Sequence, residues 1–242
     1  MLPIRSLSIR GLRPSPWAAW RPLPRRAACL ACGIAPGDPF CGGCADDFVP
    51  AGAVRCPRCA VSLAVPAPAG CGACLARPPR FDATMVLGDY RPPLSVMVRA
   101  LKSGARLDVG AALGHLLATR AAGRVAPGAW VVPVPLADDR LRRRGFNQAL
   151  EIARPVARSL RLPLVPEAVV RRKPGRPQQG LDRRQRRANV RGAFAATLDL
   201  DRRDLVLVDD VMTTGATLDA LAEAVRERGA RRITILALAR TT

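Results

Sequence analysis

The chain has 242 residues, a formal net charge of +20 and 49% apolar side chains, with aromatics at only 4%. This length allows one domain of ordinary size plus a smaller one, around a core of Leu, Val and Ala rather than aromatic rings. The charge suggests nucleic acid, an anionic membrane or phosphorylated ligands. Ala, Arg, Pro and Gly run high along the whole chain, however, so a local cluster of charge says more than the total. No stretch reaches 18 uncharged apolar residues, so no transmembrane helix is expected.

Residues 1–28 contain six arginines and no acid, without the continuous apolar segment of a secretory signal. They read as a basic, disordered arm. An organelle-type leader and a start site placed upstream of the true one are the alternatives.

All eight cysteines follow, in four C-x-x-C pairs: Cys29/Cys32, Cys41/Cys44, Cys56/Cys59 and Cys71/Cys74. Two thiolates at this spacing grip one metal ion, with the turn presenting both sulfurs. The pairs form two sets, which predicts a double zinc ribbon over 29–77, with four cysteines and one structural zinc per set. Adjacent pairing is the simplest arrangement, and an interleaved one stays open. All ligand positions would be sulfur, leaving no open position for catalysis. A redox pair fits poorly, because such motifs usually come singly at a helix start. Iron–sulfur ligation is the remaining alternative. Reduced thiolates in this number imply a reducing compartment, so a cytoplasmic location is expected.

"LARPPRFD" reads as a linker and "ATMVLGDY" as a short strand. "LSVMVRALKSG" carries Leu94, Met97, Val98 and Leu101 at helical spacing, and "DVGAALGHLLATRAA" predicts a second helix capped by Asp108. His115, the only histidine, sits in that helical pattern without an acidic neighbour in sequence and reads as a surface or core residue. "WVVPVPL" is a strand that stops at its prolines. "DDRLRRRGFNQALEIARPVARSL" reads as a basic loop and then a helix. "EAVVRR" and "DLVLVDD" are strands, "GATLDALAEAVRERGA" a helix ending at Gly229, and "RRITILALA" the last strand. Strands alternating with helices predict an α/β fold over 78–242, a mostly parallel sheet with helices on both faces. Ligands of such sheets lie beyond the carboxyl ends of the strands. Asp209 and Asp210 stand at one such end, and Gly145 in the loop beyond another.

The stretch "LVLVDDVMTTGATL" places two carboxylates at the end of an oily strand, where each must be hydrated, paired or bound. The loop behind them opens a helix, whose unpaired N–H groups and dipole favour an anion. Thr213, Thr214 and Thr217 add hydroxyl donors around Gly215 and Ala216, making a cup for a phosphate. It lacks the lysine and glycine pattern of a P-loop, so triphosphate hydrolysis is not indicated. Carboxylates accept paired hydrogen bonds from neighbouring hydroxyls. Phosphate beside a vicinal diol describes ribose 5-phosphate. A purely structural turn or a metal site alone are the other readings of the stretch.

"VLVDDVMTTGAT" resembles the phosphoribosyl-pyrophosphate signature of type I phosphoribosyltransferases. With "VPVPL…RRRGFNQA", "RRANVRGAF" and the cysteine ribbon, the chain from Cys29 onward is similar to the ComF family, a group linked to competence in DNA uptake. The resemblance implies that Asp209 and Asp210 contact the ribose hydroxyls and that residues 213–217 hold the 5-phosphate. It implies that the run from Asp138 to Asn147, with Arg144 and Gly145, holds pyrophosphate. Magnesium would accompany the phosphoribosyl pyrophosphate. A mobile loop over the reacting centre would be the stretch from Arg171 to Arg191, with nine basic residues and one acid. Single-stranded DNA or uptake proteins are implied partners, for an enzyme or for a non-catalytic sensor or adaptor. The superfamily usually recognises its base with a small hood outside the core. After the last strand only "RTT" remains here, so the N-terminal region supplies that hood or it is missing.

Overall fold

The computed structural model describes residues 28–34, 39–50, 52–172, 190 and 192–241. All but the last residue of the basic arm expected over 1–28, and most of the loop expected over 171–191, lie outside these residues. The N-terminal part carries two short helices, α1 (Gly42–Phe48) and α2 (Gly72–Ala76). The core then runs β1 (Ala83–Asp89), α3 (Leu94–Gly104), α4 (Leu107–Ala121), β2 (Trp130–Pro133), α5 (Asp138–Arg144), α6 (Gln148–Leu160), β3 (Val169–Arg171), β4 (Phe194–Ala196), β5 (Asp204–Met212), α7 (Ala216–Arg226) and β6 (Arg232–Arg240).

Four strands form one parallel sheet in the order β1-β6-β5-β2. Alternation along the two central strands explains why both read as continuous apolar runs. Val206, Val208, Leu236 and Leu238 face one core cluster, shared with α4 and α6. Leu205, Leu207, Ile233 and Ile235 face the other, shared with α7. Helices α4 and α6 approach closely at Gly114. A Cβ there would lie 2.5 Å from the Pro155 ring and 2.8 Å from the Ile152 carbonyl oxygen, so only glycine allows this packing. No helix among the described residues is long and apolar enough to cross a membrane.

Several local expectations change. The basic stretch after β2 is a helix, α5, and not a loop. Asp138 and Asp139 in its first turn and three arginines in its last suit the helix dipole. Asp139 pairs with Arg143 at 2.7 Å, and Gly145 closes the helix at φ 80°. Asp108 does not cap α4. It lies inside the first turn, and Arg106, the residue at the cap position, binds it at 2.7 Å. The "EAVVRR" strand stays outside the parallel sheet and pairs antiparallel with β4. The segment read as a linker begins inside α2, which ends at Ala76.

The N-terminal part is bolted to the core. Phe48 is 1% exposed, stacks edge-on to Phe40 at 4.9 Å, and joins the same apolar cluster as Leu87 and Leu94. Arg55 reaches Asp89 at the end of β1 at 2.8 Å, with both side chains largely buried. Burial alone would raise the Asp89 carboxyl, but hydrogen bonds from Arg55 and Ser62 outweigh it and hold it below its ordinary value. The Thr84 N–H donates to the Pro57 carbonyl at 3.1 Å.

The cysteines gather as adjacent sets, Cys29/Cys32/Cys41/Cys44 and Cys56/Cys59/Cys71/Cys74, with sulfurs within 4.8 Å of one another in each. Tetrahedral ligation at a zinc–sulfur bond of about 2.3 Å requires sulfurs about 3.8 Å apart. Cys32 and Cys41 are 3.8 Å apart, and Cys59 and Cys71 3.7 Å. Backbone N–H groups of Cys41 and Cys71 point at the sulfurs of Cys29 and Cys56. Burial raises both thiols, yet backbone donors bring Cys29 to about 6 and Cys56 to about 7. Cys44 is pushed up to about 12, first by its hydrogen bond with Cys41. Four thiolates so close repel without a cation, so the donor set fits a structural zinc in each cluster.

Elemental analysis should find two zinc ions per wild-type chain and one in Cys44→Ser. Disulfides in place of metal would sink the ribbon reading. Chelation should lower the thermal stability of the core as well as the ribbon, because Phe48 and Arg55 are shared between them.

Candidate functional site

The carboxyl ends of β1, β6, β5 and β2 open into one cleft of about 330 Å³. Asp209 and Asp210 interrupt the apolar run of β5 near its carboxyl end, before the strand closes at Met212. The Asp210 N–H donates to the Asp209 carboxylate at 2.9 Å, which orients the first acid. Lys102, from the last turn of α3, pairs with Asp210 at 3.1 Å. Burial, then the Asp210 charge, pushes Asp209 up to about 7, against the opposing pull of Lys102 and Arg171.

The threonine loop follows. Gly215 stands at the N-cap of α7 with φ 76°, a left-handed conformation that side chains rarely adopt. A Cβ there would lie 2.7 Å from the Met212 methyl carbon. The Thr214 hydroxyl accepts from the Ala216 N–H at 3.3 Å, shaping the turn. Across the cleft, α5 brings Arg140 and Arg144 to the wall. Asn147 fixes this side: it caps α6 through the Ala149 N–H at 3.1 Å and donates to the Val134 carbonyl at 3.0 Å. Arg171 lines the cleft and lies over the Phe194 ring at 5.3 Å.

Of the residues singled out in the sequence, Asp209, Asp210, Thr213, Gly215, Ala216, Thr217 and Arg144 line this cleft together. Thr214 borders a smaller cavity behind the loop. Gly145 ends α5 and does not line the cleft. His115 is remote from these residues in its contacts and meets Ser159 at 2.9 Å. Among the described residues, those that line the opening come from 90–241 and none belongs to the ribbon. Sequence reading missed Tyr90, Lys102 and Gln148, and covered Arg140 only within the run from Asp138 to Asn147. Lys102 had a signal, as one of two lysines in an arginine-rich chain. Gln148 is 2% exposed and borders the cleft, and its amide nitrogen has no hydrogen-bond partner among the described residues.

A phosphoribosyl transferase domain model matches residues 146–241. The chain is 36% identical over 192 residues to the DNA utilization protein YhgH of Escherichia coli (strain K12), covering 77% of this chain and 84% of that one. It is 35% identical over 179 residues to competence protein F of Haemophilus influenzae, covering 70% and 78%. A shorter match of 53 residues, 47% identical, joins it to a ribose-phosphate pyrophosphokinase of Vibrio vulnificus, covering 22% and 17%. With its two four-cysteine groups, its parallel α/β sheet and this extent of identity, the chain belongs to the ComF family.

Proposed function

We propose that the cleft binds phosphoribosyl pyrophosphate and transfers its phosphoribosyl group to a nitrogenous acceptor. The observation that carries this reading is the acidic pair at the end of β5, set directly before the helix-mouth cup and facing Arg140 and Arg144. The cup takes the 5-phosphate through N–H groups of α7 and threonine hydroxyls. Asp209 and Asp210 accept the ribose hydroxyls. Arg140, Arg144 and Arg171 offer positive charge to the pyrophosphate. Residues 29–77 serve as the metal-held ribbon and 78–242 as the transferase unit.

Magnesium would fit this donor set, with Asp209 and Asp210 as the carboxylates that would hold it, and would supply charge neutralisation of the leaving pyrophosphate. During transfer the bond from C1′ to the pyrophosphate oxygen breaks, and pyrophosphate keeps the electron pair. The bond from C1′ to the acceptor nitrogen forms with that nitrogen's lone pair, and the acceptor's proton leaves to solvent. The chain contributes prearranged charge and no covalent nucleophile. Lys102 neutralises Asp210 while the sugar is absent, so binding exchanges that partner for ribose hydroxyls.

The names of the relatives favour a role in DNA use and uptake. A non-catalytic sensor or adaptor remains the second reading, favoured by the exposed Arg142 and Arg143 on α5, which face solvent as a cationic rim. Pyrophosphate release with a panel of bases separates the two: release supports transfer, and binding without release supports the sensor.

Asn at both 209 and 210 should weaken phosphoribosyl pyrophosphate about tenfold or more in titration calorimetry, since a charged hydrogen bond contributes about 1.5–3 kcal/mol. Equal affinity would place the ligand elsewhere. With Asp209 near 7, wild-type affinity should rise about tenfold from pH 6 to pH 8. In Asp209→Asn only the ligand's own ionisation should remain in the profile.

The same shift has an opposite sign for stability. The folded carboxyl titrates above its unfolded value of 3.8, so its favourable contribution is complete below that value and is lost as pH rises through 7. Asp209→Asn should therefore melt higher than wild type at pH 8, with the gap closing towards pH 4.

Gln148→Leu removes a buried amide whose nitrogen has no partner among the described residues and borders the cleft. It should keep or raise thermal stability while weakening phosphoribosyl pyrophosphate several-fold, because an unmade buried hydrogen bond costs about 1–3 kcal/mol. Unchanged affinity would assign Gln148 a packing role only.

A further inference from the structure

Arg240, the last residue of β6, is 6% exposed although it carries a full charge. Its Nε donates to the Cys59 carbonyl at 3.0 Å, within the second cysteine cluster. Its Nη1 donates to the Met212 carbonyl at 3.1 Å and also reaches the carbonyls of Thr213 and Thr241. Met212 and Thr213 are the entry to the phosphate cup. One planar guanidinium thus spans a metal knuckle and the loop that takes the phosphate. A second tie runs parallel to it. The Arg80 N–H, just past the ribbon, donates to the Asp219 carboxylate at 2.7 Å, in the first turn of α7. A cavity of about 80 Å³ separates the two parts and is bordered by Cys59, Cys74, Thr214 and Arg240.

Burying a guanidinium is expensive unless its donors are met in a fixed geometry. Arginine's rigid fork suits this place, because two of its nitrogens address two separate backbone segments at once. The position also sets positive charge directly behind a loop built for an anion. The Met212 and Thr213 carbonyls are taken by Arg240, so they do not compete for the N–H and hydroxyl donors that the loop offers a ligand. Metal in the second cluster fixes the Cys59 turn, and the Cys59 carbonyl fixes the guanidinium.

We infer that Arg240 is a positioning residue that couples the second four-cysteine cluster to the sugar-phosphate cup, so that metal there and phosphate in the cup reinforce one another. The inference rests on the proposed function for its ligand. Coupling between two sites is reciprocal: if metal strengthens phosphate binding, phosphate must hold the metal by the same factor.

The test measures zinc release to a chromogenic chelator from the full chain, with and without phosphoribosyl pyrophosphate plus magnesium. In the wild type, one of the two zinc equivalents should leave about 5-fold more slowly or better when the ligand is bound. The other equivalent should be indifferent. In Arg240→Met the protection should vanish and ligand affinity should fall about 5-fold or more. Arg240→Lys keeps the charge but cannot span both carbonyl groups, so it should restore affinity in part and protection hardly at all. The wild-type measurement stands even if a variant folds poorly. Ligand binding without protection of either zinc overturns the coupling while leaving the proposed function intact. Failure of the wild type to bind the ligand overturns both.

Discussion

The site depends on one constraint, the burial of β5 on both faces between β2 and β6. The middle of β5, Leu205 to Val208, carries no charge, and its apolar side chains fill both core clusters. Apart from Asp204 at the start of the strand, which pairs with Arg231, charge appears only near its carboxyl end, at Asp209 and Asp210. The energetic tension of the site lives there. Burial opposes ionisation of Asp209, and binding a diol or a cation requires it. The unliganded protein tolerates this through Lys102 on one carboxylate and a backbone N–H on the other. The carboxylates are thereby held ready at some cost to the folded state, a common relation between function and stability.

The opposite wall is built by different means. Arg140 and Arg144 stand on a short helix whose own charges favour it at both ends. Asn147 then ties the following helix to the end of β2. Acid and base reach the cleft from elements that do not touch in sequence. The parallel sheet brings them together because all four strands finish on the same side.

The parts legible in the sequence were those written in consecutive residues. The acidic pair with its threonine loop states its chemistry within a dozen positions, and the four cysteine pairs state theirs by spacing. The alternation of strands and helices was legible for the same reason. The α5 segment was misread because its apolar content is low, and its helix depends on end charges and a glycine stop. Lys102, Gln148 and Arg240 were not assigned to the site because their roles arise from distant partners. Arg240 looks like the polar end of an oily strand until Cys59 and Met212 are seen beside it. The β3 strand was legible, but its partner lies beyond a long intervening stretch, so its place outside the main sheet was not.

The outer edges of a parallel sheet are open templates for another chain unless something occupies their hydrogen-bonding groups. On the β2 side, residues after α6 do this: Val131 exchanges backbone bonds with Pro163 and Val165. On the β1 side, the Thr84 N–H is taken by Pro57, which lies in the Cys56/Cys59 knuckle of the second cluster. The ribbon is therefore also an edge guard. A chain stripped of metal would expose the flank of β1, and strand-to-strand association between copies would compete with refolding. For this protein, metal supply during synthesis becomes a matter of solubility as much as of shape.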